Sequence, residues 1–70
     1  MKNGTITIKK GVIQAIGQPA DKGDPDAWTR TAIAALKTLE NQNLDQKEWL
    51  SGVDKVAAYL NRAAQELEES

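Results

Sequence analysis

The chain contains no cysteine and no histidine. Without cysteine it cannot form a disulfide or a thiolate metal site, and without histidine it lacks the commonest protein metal ligand and general base. The absence of cysteine fits a reducing compartment, so we expect a cytoplasmic protein. A domain of about 70 residues usually needs a disulfide, a metal or oligomerisation for stability, and of these self-association remains.

Long apolar runs and catalytic motifs are missing as well. No stretch approaches the roughly 20 apolar residues that span a bilayer, and no apolar run of signal-peptide length follows Met1. The loop residues Asp21, Asp24 and Asp26 lack the spacing of a calcium loop, and the scattered glycines form no phosphate-binding loop. We therefore expect a single domain over residues 1–70 with no metal, no cofactor, no enzymatic activity and no membrane contact.

The charge balance argues against nucleic acid as the main partner. Nine basic and ten acidic residues leave a net charge of −1, so few counterions would be released from DNA. Charge is unevenly spread, because Lys2, Lys9 and Lys10 make the N-terminal segment basic while glutamates at 66, 68 and 69 make the C-terminus acidic. A hairpin that contacts phosphate is the alternative, with thin support from three lysines.

The first segment, residues 3–16, predicts a β-hairpin. Polar and apolar residues alternate through Thr5–Lys9, and Lys10–Gly11 suits a tight turn before a second strand at Val12–Ile16. Folding about this turn pairs Lys9 with Val12, Ile8 with Ile13 and Ile6 with Ala15. One face of the hairpin is then apolar, formed by Ile6, Ile8, Ile13 and Ala15, and it must pack on another element.

A loop over 17–24 precedes a first helix predicted at 25–41. Asp24 is the expected N-cap and Pro25 the first helical residue. The apolar stripe of this helix has helical spacing and comprises Trp28, Ala32, Ala35, Leu36 and Leu39.

A second helix is predicted at 45–69. Asp45 and Glu48 have the spacing of a capping box. Apolar residues then recur at steps close to a heptad, the strongest signal in the sequence: Trp49, Val53, Val56, Leu60, Ala63 or Ala64, and Leu67. Each tryptophan is expected to fill one end of the core, and Tyr59 is expected beside the stripe.

These elements predict an α+β domain, a β-hairpin followed by an antiparallel two-helix hairpin, or ββαα. The stripe of the second helix is longer than the first helix covers, so we expect a homodimer that forms a helical bundle. Its candidate interface residues are Trp49, Val53, Val56, Tyr59, Leu60 and Leu67.

The function expected from these features is protein binding. A small, acidic chain without motifs suits an inhibitor or adaptor that covers a surface of a larger protein. The more specific hypothesis within this class is an anti-defence protein of a phage or mobile element. The alternative is a protein that sequesters a nucleotide-like ligand between protomers, since arginine fits phosphate and aromatic rings stack on bases. The candidate residues for a partner or ligand are Trp28, Arg30, Ile33, Lys37, Tyr59 and Arg62.

Overall fold

A computed structural model describes residues 4–69. The order of elements is β1 (Ile6–Lys9), β2 (Val12–Ile16), α1 (Pro25–Asn41) and α2 (Gln46–Glu69). The two strands form an antiparallel sheet and the two helices pack against each other. The predicted fold class, a β-hairpin followed by two helices, is therefore confirmed.

The strands are joined by a two-residue turn in which both residues have positive φ. Lys10 has φ 55° and Gly11 has φ 78°, the backbone of a type I′ turn, whose twist matches the twist of the flanking strands. Next to this turn the predicted pairs Lys9–Val12 and Ile8–Ile13 form.

Beyond Ile8 the predicted register is wrong. Thr7 pairs with Ala15 and Ile6 with Ile16, so Gln14 has no partner on β1 and forms a bulge. An extra residue changes the alternation of side chains. Because of it, Ile13 and Ile16 both reach the core, whereas Ala15 is exposed and Ile8 is 45% exposed.

Both helices begin with the capping interactions that the sequence predicts. The Asp24 side chain accepts a hydrogen bond from the Asp26 amide at 3.0 Å. The Glu48 amide donates to Asp45 Oδ1 at 2.8 Å, and the Asp45 amide donates to Glu48 Oε1 at 3.4 Å. Each cap satisfies amides that the first helical turn leaves without a partner.

The core consists of two clusters along the groove between the helices. Towards the start of α2, Ile13 packs with Ala35, Leu39 and Val56. Towards the end of α2, the second cluster comprises Trp28, Ala32, Tyr59 and Ala63. The hairpin covers one side of the helix pair and contributes Ile13 and Ile16 to these clusters.

The N-terminal segment is tied to α1 by Thr31, a buried polar residue. Its hydroxyl accepts from the Gly4 amide at 2.9 Å and donates to the Ala27 carbonyl at 3.0 Å. Gly4 itself lies against the Gly17 backbone, where a Cβ would overlap the carbonyl oxygen. This contact fixes which side of α1 the hairpin covers.

Candidate functional surfaces

The helix pair has one side that the hairpin leaves uncovered. Thr31 marks the hairpin side of α1, and Lys55, which borders the hairpin, marks it on α2. Leu36 follows Thr31 by five residues on α1, and Leu60 follows Lys55 by five residues on α2. At about 100° per residue, each leucine lies about 140° around its helix axis from the hairpin side. They therefore lie on the opposite side of the molecule from the hairpin.

This uncovered side, called here the open face, carries large apolar side chains from both helices. Its members are between 46 and 48% exposed: Ile33, Leu36, Trp49, Leu50 and Leu60. Half-buried Val53 and the exposed alanines at 57 and 64 lie on the same flank of α2 by helical spacing. Contiguous apolar surface of this kind is typical of an interaction site.

The structure corrects which residues of α2 face α1. The sequence places Leu60 and Trp49 on the core stripe, but both are about half exposed, and Tyr59 is only 4% exposed. The residues of α2 that are buried are Gly52, Val56, Tyr59 and Ala63. The helix is thus rotated relative to the prediction, because Gly52 lets Leu39 of α1 approach closely and the Tyr59 ring packs on Trp28.

On α1 the predicted stripe is correct for four of its five positions. Trp28, Ala32, Ala35 and Leu39 are buried, whereas Leu36 is 48% exposed. Leu36 lies at the edge of the stripe, where only a second layer on the open face would cover it. Ala27 and Thr31 are buried instead, because the hairpin and its preceding segment cover that flank.

Trp28 and Tyr59, both candidates for ligand binding, pack against each other inside the chain. Their ring centroids are 4.9 Å apart with an interplanar angle of 47°. Trp28 Nε1 donates to the Lys22 carbonyl at 2.8 Å, which satisfies the polar atom of a side chain that is 1% exposed. Neither ring therefore offers a free face on which a base could stack.

The Tyr59 hydroxyl is buried, and it makes no hydrogen bond of ordinary geometry within the described residues. Burial raises the pKa of Tyr59 because it disfavours the charged phenolate, and the neighbouring Thr31 hydroxyl offsets this in part.

The remaining candidates lie apart from this pair. Arg30 approaches Asp24 at 3.8 Å, and Arg62 pairs with Glu66 at 3.2 Å. Ile33 lies on the open face, and Lys37 is an exposed residue of α1. Of the candidate ligand-binding residues, Tyr59 and Arg62 share the lining of one cavity, and Arg30 is not part of it. The binding roles of these residues stay predictions.

Of the six candidate interface residues, two are buried within the chain and are not available to a partner. Val56 and Tyr59 are each 4% exposed, because they pack against α1. Val53 and Leu67 are half buried, and Trp49 and Leu60 are available on the open face. Leu36 and Leu50 are also exposed on the open face, although neither is among the interface residues predicted from the sequence.

A second surface, missed by the sequence analysis, is a groove between β2 and α2. It has a volume of about 520 Å³ and is lined by Lys9, Lys10, Val12, Ile13, Gln14, Glu48, Ser51 and Lys55. A neighbouring cavity of about 290 Å³ shares Gln14 and Lys55 with it. The groove brings lysines of the hairpin and of α2 together, although Lys55 is 45 residues from Lys10 in the sequence. Lys2, the third lysine of the predicted basic hairpin, lies outside the described residues.

Two further findings concern other classes of site. Across residues 4–69 the acidic side chains form no cluster of three or more that could hold a metal ion. Neither helix in this part of the chain is long and apolar enough to cross a membrane.

Comparison of the chain with protein-family models, with curated proteins and with solved structures found no match.

Proposed function

We propose that this chain is a non-enzymatic protein-binding protein, an inhibitor or adaptor, that works as a homodimer joined through the open face. The observation that carries the proposal is the open face itself, with five large apolar side chains about half exposed on one side of the helix pair. Burying such surface is the main favourable contribution to protein association. The cytoplasmic location expected from the absence of cysteine stays a prediction.

A second copy of the chain is the occupant that we propose for the open face. A domain of about 70 residues usually needs a disulfide, a metal or oligomerisation for stability, and this chain has no cysteine. Two open faces packed together would complete a four-helix bundle.

The pattern along α2 is also self-complementary. If two copies of α2 pack antiparallel with Ala57 at the two-fold axis, residues before Ala57 face residues that follow it by the same number. Leu50 then meets Ala64 of the second copy, seven residues from the axis on either side. A large side chain faces a small one at this position.

The alternative function, binding of a nucleotide-like ligand, has less support. Its proposed base-stacking residues, Trp28 and Tyr59, are buried against each other. Protein binding is therefore the function that the exposed side chains favour.

The decisive experiment is sedimentation equilibrium on the wild type and on two charge variants of α2. Leu60→Asp places a carboxylate on the open face, and Gln65→Asp, the control, places one on the exposed outward side of the same helix. We expect a dimer for the wild type and the control, and a folded monomer for Leu60→Asp. The helicity of each variant is measured by circular dichroism, because Leu60 is half exposed and its replacement should leave the fold intact.

A wild-type mass of one chain from low to high micromolar concentration would contradict the dimer. A Leu60→Asp variant that remains dimeric would place the interface elsewhere and contradict the role of the open face.

A further inference from the structure

The groove between β2 and α2 concentrates positive charge from three lysines. Within the described residues, Lys9, Lys10 and Lys55 form no ion pair, since the two pairs present involve Arg30 and Arg62. The one acidic residue of the lining is Glu48, which accepts a hydrogen bond from the Asp45 amide at the start of α2. Three lysines and one glutamate give the groove a charge of +2 in a chain whose net charge is −1.

β2 forms one wall of the groove and is an edge strand of the sheet. Within residues 4–69, β2 pairs with β1 alone, so its other edge has no neighbouring strand in this part of the chain. Gln14, the bulged residue, has no partner on β1 and lines both cavities. An exposed edge presents backbone donors and acceptors to which an extended peptide can add as a further strand.

We propose that this groove binds an extended acidic peptide segment of a partner protein. The peptide adds to the free edge of β2, and its carboxylates face Lys9, Lys10 and Lys55. β2 has five residues and so offers about 17 Å of edge at about 3.3 Å per residue. The inference rests on the proposed protein-binding function and names the chemistry of the partner.

Two features favour a peptide over a phosphorylated small molecule. The lysine-rich cavity is lined by no aromatic side chain on which a base could stack, and it borders a strand whose backbone suits a peptide. The groove also lies on the hairpin side of the molecule, opposite the open face. A dimer joined through the open faces therefore leaves both grooves accessible.

The test uses a fluorescein-labelled peptide that alternates glutamate and valine, with binding followed by fluorescence polarisation at low salt. We expect binding by the wild type, and we expect a double variant, Lys9→Gln with Lys55→Gln, to bind about three- to tenfold more weakly. Lys22→Gln, in the loop before α1 and outside the lining of the groove, is the control for loss of one positive charge and should bind as the wild type does.

Three outcomes would overturn the proposal. The first is no binding by the wild type, and the second is equal weakening by Lys22→Gln and the double variant. The third is a duplex oligonucleotide that binds more tightly than the peptide with the same dependence on the lysines. Methylation of alternate backbone amides of the peptide tests strand addition, which predicts loss of binding; undiminished binding would rule it out.

The same titration on Leu60→Asp separates this proposal from the dimer. Leu60 is not part of the groove, so a monomeric variant should bind the peptide as the wild type does. Failure of dimerisation and failure of peptide binding are thus observed independently.

Discussion

At the residue scale, Tyr59 combines a favourable ring contact with an unfavourable hydroxyl. Its ring fills the space beside Trp28 at 4.9 Å, and the residue is only 4% exposed. An aromatic pair of this kind contributes about 0.5–1.5 kcal/mol beyond the area that it buries. The buried hydroxyl opposes this, because it gives up hydrogen bonds to water without forming one of ordinary geometry within the described residues.

We predict that Tyr59→Phe keeps the ring contact and raises the free energy of unfolding by up to about 1 kcal/mol at neutral pH. Urea denaturation followed by circular dichroism measures this change. Tyr59→Ala is the comparison, since it removes the ring as well and should destabilise by about 3–5 kcal/mol. A loss of more than about 1 kcal/mol for Tyr59→Phe would show that the hydroxyl has a hydrogen-bond partner.

The raised pKa of Tyr59 predicts a stability that falls in alkaline solution. In the unfolded chain the phenol ionises near its ordinary pKa of 10.0, while in the folded chain burial raises that pKa. The contribution is fully present below pH 10 and is lost as the pH rises through the folded pKa, because the unfolded state releases its proton first. Wild type should therefore lose more stability above pH 10 than Tyr59→Phe, which shares every other titrating group. Equal losses in the two proteins would contradict the shift.

At the element scale, the distance between the helices is set by a small residue on each helix that faces a larger residue of the other. Gly52 of α2 is buried, and a Cβ there would overlap Leu39 of α1. Ala35, which is 0% exposed, has a similar position on α1 beside Val56. Leu60 and Trp49 of α2 are turned away from α1, whereas the Tyr59 ring faces it and packs on Trp28.

We predict that Gly52→Ala lowers the free energy of unfolding by about 1 kcal/mol, although alanine is the better helix former. The gain in helix propensity is about 1 kcal/mol, and overpacking Leu39 costs about 1–3 kcal/mol. Ser51→Ala, one residue earlier and exposed, is the matched control and should be neutral or slightly stabilising. Thermal and urea denaturation of both variants measure the difference. A stabilised Gly52→Ala would mean that Leu39 moves aside at little cost.

At the scale of the whole molecule, the fold has an elongated shape, with principal extents of 38, 20 and 16 Å. Two layers, a hairpin and a helix pair, leave the second side of the helices without a covering layer. The hairpin side carries the basic groove and the opposite side carries the apolar open face. The two proposed interactions therefore use opposite sides of the molecule and do not compete.

A dimer that forms through the open face should also make thermal stability depend on concentration. Association stabilises the folded state by mass action, so the Tm of the wild type should rise with protein concentration. The Tm of Leu60→Asp should be independent of concentration. Differential scanning calorimetry at low and high micromolar concentrations measures both, and a constant Tm for the wild type would be inconsistent with a dimer linked to folding.

The sequence by itself determined the order and type of the elements, because the signals involved are local. Lys10–Gly11 suits a type I′ turn, Asp24–Pro25 begins a helix, and Asp45 with Glu48 closes a capping box. Each depends on residues within a few positions of one another, and each is present in the structure. The buried positions Trp28, Ala32, Ala35 and Leu39 on α1 follow from helical spacing in the same way.

Tertiary structure alone decided which flank of each element is buried. Because of the bulge at Gln14, Ile16 rather than Ala15 faces the core. Because the helices approach closely at Gly52, Tyr59 faces α1 and Leu60 is exposed. A stripe of large residues and an adjacent row of small ones have the same helical period, so periodicity does not choose between them. The groove of Lys9, Lys10 and Lys55 likewise arises only when β2 packs beside α2, because its residues are distant in the chain.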